Sequence, residues 1–442
     1  MMNVKVYSHA SNLLHFTFII LYFTFILTSC SVSKQISKQA EKILITDSAI
    51  RTGHIGISIY EPATGTYWYN YNSDKNFIPA SNTKLFTLYA GMKYLGDSLV
   101  GIRYNNLIDS NITYITPTGD PTFLHPDFRK QPVLEFIQKQ SNIIINRPSY
   151  FDAYNKGWAW DDHTESFMTP RSSFPIYGNL VNIKWIKPDS LLIYPKYFHK
   201  EIEKSNRFPN GFDLIKQFGN NHLMFLEGDE KNKAVPFEAD ISTVIDLLKD
   251  TLKNKTISSN IENNFRGINI IYSQPSDSLF KPMMHNSDNF FAEQTLLMAG
   301  NEHIGYMSDE DMIDTLLKND LKDIPQKPGW VDGSGLSRYN LFTPRSFIYI
   351  LEKMKNEFGM ERLKVILPTG GEGNLKNYFI KDSSYIYAKT GTLSNNCALS
   401  GFLITGKGKL LIFSVLANNY QSGAGPVRRA VAQFLSGIRE KY

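Results

Sequence analysis

Only two cysteines, Cys30 and Cys397, occur in 442 residues. A disulfide-rich scaffold is excluded, as is a cysteine-built zinc centre, so stability must come from core burial. The nine histidines never fall in the H-E-x-x-H spacing of a zinc peptidase. Phosphate-cradling loops and dinucleotide fingerprints are missing too, so neither metal nor cofactor is implied. No Lys/Arg run accompanies the mild net charge of +5, which argues against nucleic acid. There is no low-complexity tract and no fixed-period repeat. The N-terminal apolar stretch, Leu13 to Leu27, falls short of the roughly 20 residues of a membrane-spanning helix.

That stretch instead has the length of a secretory signal core, with Lys5 and His9 ahead of it. It ends in Leu27-Thr28-Ser29-Cys30, which resembles the lipobox of bacterial lipoprotein signals. The resemblance implies cleavage after residue 29, acylation of Cys30 and export, with the mature protein held to a membrane by lipid. An uncleaved membrane anchor is the alternative, and it also exports the chain. Residues 1–29 are then the signal and the polar residues 30–44 a tether. Cys397, in an apolar strand-like run, reads as a small core residue.

From Gly53 onward, "HIGISIYEP", "ATGT" and "YWYNYN" predict a hairpin. A helix follows Pro79-Ala80-Ser81, with Leu85, Phe86, Leu88, Tyr89 and Met92 at helical spacing and Gly96 as its stop. Residues 97–282 are rich in short β-like segments, with one clear helix near Ser242 to Lys253. Trp158 and Trp160 read there as core. A long helix begins at Ser287-Asp288-Asn289, its apolar face carried by Phe290, Phe291, Leu296 and Leu297. Strands return in "YIYAKTGTL", "CALSGFLIT" and "KLLIFSVLANNY", before a final amphipathic helix. Strands near both ends with helices between predict an α/β (α+β) unit, residues 45–96 and 283–442, whose sheet joins both halves. Residues 97–282 are then an insertion, with 182–235 a nested subdomain.

Three short elements stand in order: Ser81-x-x-Lys84, Ser287-Asp288-Asn289 and Lys389-Thr390-Gly391. Serine at a helix start and lysine three residues later share a face, so the amine can reach the hydroxyl. The helix terminus favours a developing oxyanion. Burial and a neighbouring cation, Lys389, would lower the Lys84 pKa and free it as a base. Ser287 can relay a proton, and Asn289 can hold Lys84 or substrate backbone. Lys389 and Thr390 can grip a carboxylate, Gly391 admits substrate to the backbone, and the N–H groups of Thr392 and Ser81 can form an oxyanion hole. Ser-x-x-Lys also occurs at Ser31/Lys34 and Ser278/Lys281. The first lies in the predicted tether, and Pro282 predicts that no helix runs on from the second.

This set is the signature of penicillin-binding proteins and class A β-lactamases. Together with "IPASNTKLFT", "SDNFFAE", "DGSGLSRYNLFTP", "AKTGTLSNNCALSGF", "GDPT" and "GWAWDD", the chain resembles the class C low-molecular-mass penicillin-binding proteins. These form the D-alanyl-D-alanine carboxypeptidase/endopeptidase family (peptidase family S13). The resemblance implies an antiparallel sheet flanked by helices, with a large, mainly β insertion between the first two motifs. It makes Ser81 the acylated nucleophile, Lys84 its base, Ser287 and Asn289 the second catalytic element, and Lys389, Thr390, Gly391 and Thr392 the substrate strand. Asp162, Phe167 and Arg338 then stand around the side chain of the substrate's stem peptide, suiting a zwitterionic end such as that of meso-diaminopimelate. The implied partners are peptidoglycan stem peptides and β-lactams. A β-lactamase would need a glutamate in an E-x-x-L-N loop, which is missing. A silent wall-binding lipoprotein would have no need of the full catalytic set.

Overall fold

The computed structural model describes residues 32–107, 111–146, 151–186, 190–205, 213–226, 231–260 and 268–442. A five-stranded antiparallel sheet organises the molecule, in the order Ile386–Leu393, Asn396–Ile404, Leu410–Asn418, His54–Glu61, Thr66–Tyr71. The first-made hairpin thus pairs directly onto the last-made strand, with Ile57 opposite Val415. Alternation along these strands sends Ile57, Ile59, Phe413 and Val415 to one face. Ala398, Phe402, Ile412 and Leu416 go to the other.

Each face is covered by helices. On one lie Lys84–Tyr94, Asn289–His303 and Pro344–Phe358, whose apolar side chains form a single cluster with the sheet. The Asn289–His303 helix is buried all round from Phe290 to Gly300, rather than along one apolar stripe, because it lies between neighbouring helices and the insertion. On the other face lies the C-terminal helix Ala424–Lys441, with Phe434, Leu435 and Ile438 inward.

Residues 32–44 do not form a tether. Residues 32–40 are helical and continue as a π-helical turn, Glu41–Ile45, that docks on the C-terminal helix. Ile36, Ala40 and Leu44 recur every four residues, so a sequence that is polar on average still presents one continuous apolar edge. All three are fully buried, and Gln39 donates from Nε2 to the Phe434 carbonyl at 3.1 Å.

Between the first and second motifs, five strands form a mixed sheet: Thr256–Asn260, Asn142–Asn146, Ile112–Pro117, Ser98–Leu107 and Asn269–Pro275. Two three-stranded sheets lie within residues 180–236, and a separate apolar cluster unites these layers. The helix Ser276–His285 then returns the chain to the first core and, contrary to expectation, runs through Pro282. The bond that proline removes is to the carbonyl of Ser278, a half-exposed residue, while Leu279, Phe280, Met283 and Met284 hold the helix by packing. Trp160 is the other departure: it is 73% exposed rather than core. Trp158 is half-buried because its indole has a polar partner inside the fold.

Candidate active site

Ser81 sits in a tight 3₁₀ turn, Ala80–Thr83, that feeds the helix beginning at Lys84. The turn is held in an unusual shape. Ala80 has φ = 49°, a left-handed conformation that costs an alanine roughly 1 kcal/mol or more. Gly335 presses on it so closely that a Cβ there would lie 2.0 Å from the Ala80 carbonyl oxygen. Such strain persists only where packing over-determines it. Ser287, the first residue of the second motif, is likewise left-handed, with φ = 60°. Asp288 caps the following helix by accepting from the Phe291 N–H at 2.9 Å.

Lys84 is fully buried, and its amine has three partners. It donates to Ser81 Oγ at 3.0 Å, to Asn289 Oδ1 at 2.6 Å and to the Ser334 carbonyl at 2.6 Å. Loss of one proton leaves the lone pair facing the Ser81 hydroxyl while the other two N–H bonds fix the amine. Lys389, also fully buried, donates from Nζ to Ser287 Oγ at 2.8 Å and to the Thr390 carbonyl at 2.8 Å. Side chains of all three motifs therefore meet in one cleft. With its side-chain amide turned to satisfy both neighbours, Asn82 ties the turn to the strand by donating to the Lys389 carbonyl and accepting from the Leu399 N–H.

Burial pushes the Lys84 amine down to about 8, against the pull of Asp332, Glu293 and Asp288. The expected cation effect appears on Lys389 instead. Burial, then the cations of Lys84 and Arg428, hold that amine well below the usual lysine range. Two ammonium groups in one dry cleft repel, and solvent is too remote to screen them.

Gly391 lies flat against the Ala80–Thr83 turn. A Cβ at that position would meet the Pro79 carbonyl oxygen at 2.5 Å and the backbone nitrogens of Asn82 and Ser81 at 3.0 and 3.1 Å. The strand register places Thr390 and Thr392 opposite Leu399 and Cys397, on the C-terminal-helix side. There Arg428 donates to Thr392 Oγ1. Arg428 was not anticipated; its only sequence sign is a basic residue beside Val427 and Val431 on the inward face of the last helix.

Asn289 also reaches outward, donating from Nδ2 to the Phe167 carbonyl at 2.8 Å. The Phe167 ring is left 46% exposed at the mouth of the cleft. Arg338 stands near enough to Asp162 to act on its carboxylate, and its Nη1 donates to the Ser394 carbonyl at 3.5 Å. Partial burial, then the neighbouring Asp161 and Glu165, raise the Asp162 pKa, and Arg338 opposes them. Arg338 is exposed, its N–H donating to the Gly157 carbonyl at 3.2 Å.

Two buried carboxylates behind Lys84 were also unassigned, although both lie in quoted blocks. Glu293 accepts from the Ser334 N–H at 2.7 Å, near the buried Arg171, and its pKa is raised to about 8 chiefly by burial. Asp332 takes donors from several elements. Nothing in a single sequence separates such carboxylates from solvated ones.

The curated D-alanyl-D-alanine carboxypeptidase DacB of Haemophilus influenzae is 23% identical over 412 residues, covering 80% of this chain and 83% of that protein. The crystal structure of penicillin binding protein 4 (dacB) from the same species superposes with a TM-score of 0.74 at 19% identity, covering 92% of this chain and 99% of that one. It has also been solved in complex with a β-lactam. A peptidoglycan endopeptidase from Bdellovibrio bacteriovorus, Bd3459, matches at a TM-score of 0.53 and 14% identity, over 88% of this chain and 94% of that one. Residues 36–437 match the model of the D-Ala-D-Ala carboxypeptidase 3 (S13) family, and the chain belongs to that family.

Proposed function

We propose that this serine D-Ala-D-Ala carboxypeptidase of the S13 family works through an acyl-enzyme on Ser81, with Lys84 as base. One observation carries the assignment: a fully buried amine, lowered to about 8, hydrogen-bonded to the hydroxyl of a serine at a helix entrance. Ser81 Oγ attacks the carbonyl of the penultimate D-residue while its proton passes to Lys84 Nζ. The tetrahedral oxyanion faces the backbone N–H groups of Ser81 and Thr392, brought together by the contact at Gly391. Ser287 then delivers a proton to the leaving amine, and the C–N bond breaks. Water hydrolyses the ester and regenerates Ser81.

Lys389 and Thr390 receive the substrate's terminal carboxylate. Burial and the neighbouring cations disfavour a charged Lys389, and an incoming anion reverses that preference, so binding and protonation of the amine go together. Asp162 and Arg338, near each other on the cleft wall, suit the ammonium and carboxylate of a zwitterionic side chain, with Phe167 packing alongside. β-Lactams enter the same cleft and acylate Ser81. The leaving group is D-alanine or a cross-linking amine, and the protein acts outside the cytoplasm, held by acylated Cys30. Cys30 and the signal lie outside the described residues.

The test is labelling with a fluorescent penicillin. Wild type is expected to take one label and Ser81→Ala none; equal labelling of both would end the assignment. Mass spectrometry of digested muropeptides then separates loss of terminal alanine from conversion of dimers to monomers.

A further inference from the structure

The loop 332–340 meets Lys84 through one peptide unit. The Ser334 carbonyl accepts from Lys84 Nζ at 2.6 Å, and the N–H of that same peptide, on Gly335, donates to Asp332 Oδ1 at 2.8 Å. Asp332 has no solvent exposure. Besides Gly335, its carboxylate accepts from Asn340 Nδ2 at 2.7 Å, the Ser337 N–H at 2.7 Å and the Trp158 indole at 2.9 Å. These donors match the roughly four lone-pair sites of a carboxylate. Ser334 Oγ lies further out, at 3.4 Å.

Trp158 is the donor that does not belong to this loop. It comes from the insertion, four residues ahead of Asp162. The segment is docked by backbone as well. The Gly157 carbonyl accepts from the Arg338 N–H, and a Cβ on Gly157 would lie 2.7 Å from Ser337 Oγ and 2.9 Å from the Tyr339 ring. One carboxylate therefore aligns the acceptor of the base and anchors the cleft wall that carries Asp162.

We propose that Asp332 is a positioning residue that joins the two: it holds the Ser334 carbonyl on Lys84 and fixes the Gly157–Asp162 wall in register with the nucleophile. Its charge also acts on Lys84 directly, as the largest of the influences that oppose burial. Glu293 on the Asn289–His303 helix, Asp288 at its N-cap and Lys389 from the Ile386–Leu393 strand are the other titratable groups around the amine. The inference rests on Lys84 serving Ser81 as base.

Two substitutions act on Lys84 with opposite sign. Asp332→Asn removes the negative charge and misorients the Ser334 carbonyl. Both effects favour the neutral amine, so the acid limb of the acylation rate should move down by about one pH unit. Trp158→Phe leaves the charge and removes one donor that disperses it. The carboxylate then holds the ammonium more strongly, and the limb should move up by a few tenths of a unit. A merely structural role would lower the amplitude of both profiles and leave their limbs in place.

The experiment measures acylation by a fluorescent penicillin from pH 5 to 10 in wild type and both variants, with Ser81→Ala as blank and thermal unfolding as a check on folding. Opposite displacements support the proposal. If the limbs coincide with wild type to within 0.2 units while labelling still requires Ser81, the proposal is overturned and the active-site reading stands. Label on Ser81→Ala overturns that reading and this inference with it. Trp158→Phe decides the matter by itself if Asp332→Asn does not fold.

Discussion

Replacing Gly391 by alanine should separate the substrate strand from the nucleophile with little other damage. The added Cβ would stand 2.5 Å from the Pro79 carbonyl oxygen. Carbon-to-carbonyl contacts settle at about 3.3 Å, so the strand and the turn must part by roughly 0.8 Å. Neither can rotate away. Asn82 pins the turn to the strand at the Lys389 carbonyl, and the strand is paired along its length with Asn396–Ile404. The displacement therefore falls on the gap where the Ser81 and Thr392 N–H groups converge. A misplacement near 1 Å costs about 100-fold in rate, equivalent to roughly 2.7 kcal/mol of transition-state stabilisation. Global stability should fall by about 1–3 kcal/mol, the range for overpacking. The assay is the second-order rate of acylation by a fluorescent penicillin, with urea unfolding in parallel. Acylation within threefold of wild type in a folded Gly391→Ala protein would refute the argument, because it would show that the close approach has no part in catalysis.

In wild type, the acylation rate should fall about tenfold per pH unit below a midpoint near 8, because Ser81 needs the neutral Lys84 amine; a stopped-flow profile checks this. Glu293 has its pKa raised to about 8, so the native state binds the extra proton and wild type loses stability as pH rises from about 4.5 to 8. Glu293→Gln should lack that loss, so its stability relative to wild type, measured in urea, should be higher at pH 8 than at pH 5. Ile36→Ala, at a fully buried position of the N-terminal helix, should cost about 2–4 kcal/mol in urea unfolding; a change under 0.5 kcal/mol would show that this helix is only loosely held. Trp160→Ala, at a side chain 73% exposed, should leave stability within about 0.5 kcal/mol of wild type.

The three motifs that meet in the cleft were legible because each is a short string whose spacing fixes geometry. Ser81 and Lys84 share a face by helix periodicity, and the Lys389–Thr390–Gly391 run can belong only to a strand if Gly391 is to touch the turn. The sheet was legible because "CALSGFLIT" and "LLIFSVLAN" are short apolar runs bounded by turn residues, the pattern of strands buried on both faces. Elsewhere, burial is decided by partners far along the chain. Ile36, Ala40 and Leu44 look sparse until the C-terminal helix supplies a groove. Pro282 looks like a stop until packing on either side outweighs one lost bond. Asp332 and Glu293 look like solvated acids, and what buries them is the meeting of the 332–340 loop with a helix that starts at Asn289.

The docked N-terminal helix bears on how far this enzyme can roam. With the acyl chain we propose at Cys30, only Ser31 separates the lipidated residue from helical residue 32, and one residue spans at most about 3.6 Å. A protein so anchored would be not a kite on a long string but a post set in the bilayer. Its working height above the membrane would be the height of its own body, and strands of wall beyond that distance would be out of reach unless the helix let go of Phe434 and its neighbours.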